Sequence, residues 1–154
     1  MRKQKVFGLT NSTGKTMVFL VPKPFTASDW AKGMKDRVVS FLQRAFPNKT
    51  SFQILLDGEQ LFYAPQSKRA MADGGVSVLP NWPKYSPDLN PQENVWAWAE
   101  ERLRTQEKDS DSFEVFQKRV LDACRAYPYA GKLVGSMAKR MALLKDRSGA
   151  NIGK

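Results

Sequence analysis

The sequence contains no histidine, only one cysteine and no long apolar run. Without histidine, Ser-His nucleophilic sites, His-based acid–base catalysis and nearly all zinc chemistry are excluded. The single cysteine, Cys124, excludes an internal disulfide and a Cys-cluster metal site. The longest apolar run, MVFLV, is far too short to span a bilayer, and the first residues lack the apolar core of a signal peptide. Catalysis would have to use carboxylates, lysines, tyrosines or hydroxyls. We expect a protein of the nucleus in a eukaryote and otherwise of the cytoplasm, neither secreted nor membrane-bound.

Positive charge is what the chain has in excess. Its 154 residues carry a net charge of +10, with a pI near 9.9, so polyanions are natural partners. Basic segments at both ends flank an acid-rich middle. The alternative is that these lysines and arginines only solvate the surface. The hydrophobic fraction of 42% is enough for one packed domain.

The first third of the chain predicts a hairpin followed by a helix. Residues 5–10 and 16–22 are short β-type runs on either side of the turn NSTGK, which predicts a β-hairpin. A helix is predicted from Thr26 or Ser28, because apolar residues then recur at helical spacing. These residues are Trp30, Met34, Val38, Phe41, Leu42 and Ala45.

The remaining elements favour an α/β fold with a helical C-terminus. SFQILLDG predicts a buried strand that ends at Asp57, and a short helix closed by a glycine pair leads to a parallel strand, VSVLP. Further helices are predicted from Pro91 to about Arg104, after an N-cap at Ser112, and over residues 131–146. The helix after Ser112 has an apolar stripe of Phe113, Phe116, Val120, Cys124 and Tyr127, so Cys124 is predicted to lie in the core. The order of elements predicts a mixed sheet, a β-hairpin and then β-α-β, with helices on its faces.

The segment PNWPKYSPDLNPQENVW stiffens the chain just before the Pro91 helix. Asn90 is a good N-cap, and proline suits the first helical position that Pro91 occupies. Glu93 then lies in the first turn, where its carboxylate meets the positive end of the helix dipole and can reach the Asn90 backbone as in a capping box. Pro87 and Asp88 are predicted to shape the loop, with Asp88 in an Asx-type turn.

Asp57 and Glu93 are the candidate catalytic residues. Asp57 ends a buried strand, at the kind of sheet edge where sites form in open α/β folds. The stiff loop would bring the Glu93 helix to the same edge. Two neighbouring carboxylates repel unless a cation lies between them, and Mg²⁺ prefers such hard oxygen ligands. The pair therefore predicts a divalent-metal site, although a strand-end turn residue and a purely capping glutamate are the alternatives.

The segment YSPDLNPQENVWAWAEERLR, following ILLDG at this distance, resembles the catalytic core of mariner-type DDE transposases. The resemblance covers roughly residues 5–107. It implies a ribonuclease H-like fold in which Asp57 and Glu93 match the second and third catalytic acids. It also implies Mg²⁺ or Mn²⁺ as the cofactor, double-stranded DNA as the partner, and cleavage and transfer of DNA strands as the reaction. A homodimer is left open.

The match departs from this family at the first acid. The family carries it on its first strand, upstream of the hairpin, yet the first 28 residues here contain no Asp or Glu. Asp29 and Asp36 fall on the first helix instead. We therefore expect that the first strand is missing, that the chain begins inside the domain, and that the site is catalytically incomplete. Gly58 also replaces the asparagine that commonly follows the second acid.

Several basic and aromatic residues are candidates for binding DNA. Trp82, Lys84 and Tyr85 lie in the proline-rich loop, where the aromatic rings either stack on bases or pack beneath the loop. The basic residues of the last helix are Lys132, Lys139, Arg140, Lys145 and Arg147, which either contact phosphate or form a solvated face. We accordingly predict a truncated catalytic domain over residues 1–107 and a basic helical extension over 108–154. A non-catalytic DNA-binding module derived from a transposase is the alternative.

Overall fold

The structure is a computed structural model that describes residues 2–83, 86–106, 108 and 110–146. The chain divides into two compact units. The hairpin unit combines the described residues of 1–21 and 86–154, and the central unit those of 22–85. Within the described residues, no helix combines the length and the apolar character that crossing a membrane requires.

Four strands and eight α-helices make up the two units where the structure describes them. The strands are β1 (Val6–Thr10), β2 (Thr16–Leu20), β3 (Phe52–Ile54) and β4 (Val76–Val78). The helices are α1 (Ala27–Gly33), α2 (Val39–Ala45), α3 (Gln60–Tyr63), α4 (Pro65–Asp73), α5 (Pro91–Gln106), α6 (Phe113–Arg125), α7 (Ala130–Gly135) and α8 (Met137–Asp146). A π-helical segment, Met34–Val38, joins α1 to α2, and a 3-10 turn, Pro87–Leu89, precedes α5.

The predicted hairpin is confirmed. β1 and β2 pair antiparallel, with Thr10 opposite Thr16 at the turn end. The side chain of Asn11 organises the turn, because its Oδ1 accepts hydrogen bonds from the backbone N–H groups of Thr13 and Lys15, each at 3.0 Å. This Asx-type arrangement satisfies backbone donors that the strands leave unpaired.

The core of the hairpin unit lies between β2, α5 and α6. Its buried residues are Val18, Val95, Ala99, Phe116, Val120, Ala123 and Cys124. The predicted cap of α6 is present, since Ser112 Oγ accepts from Val115 N–H at 3.2 Å. The predicted core position of Cys124 is also confirmed: its side chain is 2% exposed, and burial raises the pKa of its thiol to about 11.

The hairpin approaches α5 closely through a glycine. A Cβ atom added to Gly8 would lie 2.5 Å from Trp96 Cη2 and 2.6 Å from Gln92 Nε2. The Trp96 ring therefore occupies the space that a side chain at position 8 would need. A second close approach joins the turn to α7, where a Cβ on Gly14 would lie 2.6 Å from the Cα of Gly131.

In the central unit, the first helix begins at Ala27 with Thr26 as its N-cap, which agrees with the predicted start. Thr26 Oγ1 accepts from Asp29 N–H at 3.2 Å, and Asp29 Oδ2 accepts from Thr26 N–H at 2.9 Å, which completes a capping box. The hydrogen bonds from Thr26 lower the pKa of the Asp29 carboxyl. The predicted apolar stripe is buried at Trp30, Met34, Val38 and Leu42.

The predicted parallel strand pair is also confirmed. β3 and β4 pair in parallel, with Phe52 opposite Val76. α4 lies between them in sequence and ends at the glycine pair, where Gly75 has φ +69°. A side chain at Gly75 would overlap the carbonyl oxygen of Thr50, so both the backbone conformation and the close approach require glycine.

Four features differ from the sequence prediction. The short helix α3 is not predicted. The strands form two two-stranded sheets, one per unit. β3 ends at Ile54 rather than near Asp57; the Ile54 carbonyl accepts a hydrogen bond from Leu79 N–H at 2.9 Å. The last helix is interrupted at Ser136, whose hydroxyl donates to the Leu133 carbonyl at 2.7 Å. Such side-chain to backbone bonds compete with helix continuation.

The close approach at Gly8 predicts a stability effect. We expect Gly8→Ala to lower the free energy of unfolding by about 1–3 kcal/mol, because the new methyl group overlaps Trp96 and forces repacking. Urea unfolding followed by tryptophan fluorescence measures the change. Gly135→Ala is the matched control, since a Cβ there meets nothing within 4 Å, and it should cause no loss. Equal stability of the wild type and Gly8→Ala would contradict this packing.

Candidate active site

Asp57 lies in the central unit, three residues beyond the end of β3. Its side chain is exposed, in the irregular segment between β3 and α3. Leu56, directly before it, is 5% exposed and belongs to the core, so the chain leaves the interior at this point. The carboxylate is therefore held at the surface by a backbone that is anchored one residue earlier.

Glu93 lies in the hairpin unit, in the first turn of α5. Asn90 caps this helix as predicted, because its Oδ1 accepts from Gln92 N–H at 3.0 Å. The expected second half of a capping box is replaced, since Asn90 N–H donates to the Pro87 carbonyl at 3.1 Å. The 3-10 turn thus satisfies the donor that the Glu93 carboxylate was expected to bind, and the half-buried Glu93 remains beside the positive end of the helix dipole.

Gln92, next to Glu93, is a buried polar residue that sequence reasoning missed. Its Oε1 accepts from Thr10 Oγ1 at 3.1 Å, and Thr10 Oγ1 lies 2.9 Å from Thr16 Oγ1. Its Nε2 has no hydrogen-bond partner among the described residues. Hydrogen bonds therefore connect the first turn of α5 to the turn end of the hairpin. A glutamine in a helical first turn carries no signal of this in the sequence, because its partners are about eighty residues away.

Both candidate acids have the donor chemistry of the expected metal. Carboxylate oxygens suit Mg²⁺ and Mn²⁺; Asp57 lies in the central unit and Glu93 in the hairpin unit. Within the described ranges, no group of three or more His, Cys, Asp or Glu residues is arranged to hold a metal ion. Asp29 is engaged in its capping box.

The candidate DNA-binding residues lie in different environments. Lys84, Tyr85 and Arg147 lie outside the described residues, and Trp82 is half-buried. Lys132, Lys139 and Lys145 are exposed on α7 and α8, and the Lys132 ammonium lies 5.5 Å from the centre of the Tyr129 ring. Because these lysines are exposed, they could either contact DNA phosphate or form a solvated face.

Arg140 differs from these lysines because its guanidinium binds within the protein. Its Nη1 donates to the backbone carbonyl of Asp88 at 3.0 Å. Asp88 is 7% exposed and forms the middle of the 3-10 turn before α5. The predicted loop-shaping segment, Pro87 to Pro91, therefore folds as a 3-10 turn followed by a helix cap, with α8 packed against it.

Comparison with known structures defines the fold class. The chain is similar to the crystal structure of the catalytic domain of the Mos1 mariner transposase, with a TM-score of 0.71 and 18% sequence identity. The match covers 97% of this chain and 82% of that one. The chain thus has the ribonuclease H-like fold class of a transposase catalytic domain. A search of curated proteins finds no match.

A family model identifies the class of protein more closely. The model of the DDE superfamily endonucleases matches residues 1–116. The chain belongs to the DDE superfamily of endonucleases. The matched range includes both candidate acids, the hairpin and α5, and it ends within α6.

The Asn90 cap predicts a measurable loss on substitution. Asn90→Ala removes the acceptor for Gln92 N–H, so we expect the free energy of unfolding to fall by about 1 kcal/mol. Asn90→Ser keeps a capping oxygen and should retain most of the stability. Chemical denaturation of both variants checks the pair. Equal losses in both would show that the capping oxygen is not what stabilises this turn.

Proposed function

We propose that the chain is a transposase-type domain for cleavage and transfer of DNA strands, whose chemistry is incomplete in this chain. Asp57 and Glu93 are its catalytic acids. The single observation that carries the proposal is membership of the DDE endonuclease superfamily over residues 1–116, a range that contains both acids. The capped first turn of α5 supports the role of Glu93, because it fixes the backbone of that residue.

The assignment rests on how each acid is held by its own unit. Asp57 follows the buried Leu56, three residues beyond the end of β3, and Glu93 follows a cap and a 3-10 turn. The Asp57 side chain is exposed and that of Glu93 is half-buried. Carboxylates of this kind can bind a hard cation, and the cation in turn can bind a phosphodiester oxygen. That the two carboxylates meet in the folded chain is part of the proposal.

Mg²⁺ or Mn²⁺, when bound, would supply Lewis-acid stabilisation of charge on the phosphodiester. Asp57 and Glu93 would hold it. Because residues 1–28 contain no Asp or Glu, this chain offers two carboxylates where the resemblance implies three. We therefore propose weak metal binding and little cleavage. We also propose double-stranded DNA as the partner and leave a homodimer as a hypothesis.

Plasmid nicking tests the incomplete site. We expect the purified chain with Mg²⁺ or Mn²⁺ to nick supercoiled DNA no faster than the Asp57→Ala and Glu93→Ala variants do, because a third ligand is absent. Conversion of supercoiled to open-circular plasmid is the measurement. Robust nicking that disappears in Asp57→Ala would show a complete site and overturn this part of the proposal.

A second candidate function is a non-catalytic DNA-binding module. The net charge of +10 and the exposed Lys132, Lys139 and Lys145 favour it, since phosphate contacts supply most non-specific affinity for DNA. Such a module would not need Asp57 or Glu93. Under the first proposal, by contrast, the two carboxylates would influence binding when a divalent ion is present.

A duplex-binding titration separates the two functions. For a module, the double variant Asp57→Ala, Glu93→Ala should bind duplex DNA with unchanged nanomolar affinity, with or without Mg²⁺. Neutralising the three exposed lysines should reduce the log–log salt slope by about 2.7, at about 0.9 for each phosphate contact. Fluorescence anisotropy across a salt series measures both. Affinity for duplex no higher than for heparin would argue against a DNA-specific role.

A further inference from the structure

We propose that Arg140 is a positioning residue for the turn that carries Glu93, and not a phosphate contact. Its Nη1 donates to the Asp88 carbonyl at 3.0 Å, and it is half-buried, whereas Lys139 beside it is exposed. The inference rests on the proposed function only in treating Glu93 as a catalytic acid. The contact itself links α8 to the entry of α5.

Two backbone hydrogen bonds of the turn that Arg140 contacts are seen among the described residues. Leu89 N–H donates to the Ser86 carbonyl at 3.0 Å, and Asn90 N–H donates to the Pro87 carbonyl at 3.1 Å. A 3-10 turn of three residues has poorer hydrogen-bond geometry than an α-helix, so it gains from an external anchor. Arg140 binds Asp88, the central residue of this turn, from outside it.

The turn is continuous with the candidate acid. Asn90, its C-terminal neighbour, caps α5, and Glu93 N–H donates to the Asn90 carbonyl at 3.2 Å. A displacement of the turn would therefore displace the cap and the first helical residues together. Hydrogen bonds from a charged donor are roughly twice as strong as neutral ones. The guanidinium of Arg140 can therefore hold the Asp88 carbonyl, and with it the turn, in place.

The anchor lies outside the part of the chain that the family model matches. That range ends at residue 116, and α8 begins at Met137. The basic C-terminal segment thus has a structural role in the hairpin unit, in addition to any contact with DNA. Arg140 is also close enough to Tyr127 that its charge partly offsets the rise that burial causes in the pKa of that phenol.

Hydrogen exchange on the full chain tests the proposal. In Arg140→Gln, the amides of Leu89, Asn90 and Glu93 should exchange at least about tenfold faster, because the turn loses its charged anchor. Amides of β2 should keep their wild-type rates. Arg140→Lys should restore part of the protection, and Lys139→Gln, the matched neighbour on the same helix, should change nothing.

Two outcomes would overturn the assignment. Unchanged exchange at the three amides in Arg140→Gln would show that the contact does not hold the turn. A uniform acceleration that includes β2 would show general destabilisation. Hydrogen exchange is measured without metal or DNA. Its result therefore tests the role of Arg140 independently of the proposed strand cleavage.

Salt-dependent binding to duplex DNA provides the second measurement. We expect Arg140→Gln to keep the wild-type log–log slope, since the Arg140 side chain is half-buried and one of its N–H groups binds the Asp88 carbonyl. A slope shallower by about 0.9 would identify Arg140 as a phosphate contact and would also overturn the proposal.

Discussion

The seating of α5 on the β-hairpin is the contact on which the geometry of the hairpin unit depends. It is possible because residue 8 is glycine, so that Trp96 can lie against the strand backbone. Gln92 adds a polar link to Thr10 one helical turn earlier. Together they fix both the distance and the rotation of the helix relative to the hairpin. Since Glu93 belongs to the same helix, its direction is set by these neighbours.

The start of α5 is held from three sides. Asn90 caps it from within the chain, the hairpin holds it through Gln92, and α8 holds the preceding turn through Arg140. All three contacts are made by groups other than the Glu93 carboxylate. They therefore fix the backbone next to Glu93 without using its side chain.

Local structure was largely readable from the sequence. The hairpin, the Thr26 and Ser112 caps, the closing glycine pair of α4 and the start of α5 all depend on side chains within a few residues of each other. Periodic apolar spacing likewise identified the buried stripe from Trp30 to Leu42. The sequence did not predict three features: the short α3, the early end of β3 and the break at Ser136. The end of β3 depends on its pairing with β4, and the break at Ser136 depends on a single competing hydrogen bond.

The candidate site, too, has features that the sequence predicts and features that only the tertiary structure shows. Sequence alone determined that the chain has no histidine chemistry and that Asn90 caps the helix bearing Glu93. A sequence motif also identified the two candidate catalytic acids, Asp57 and Glu93. Only the tertiary structure decided that Gln92 is buried against the hairpin and that Arg140 binds the Asp88 carbonyl instead of standing with the exposed lysines. The physical reason is distance along the chain. A cap is specified by residues two or three positions apart, whereas a contact between residues 88 and 140 exists only after packing has brought α8 against the turn.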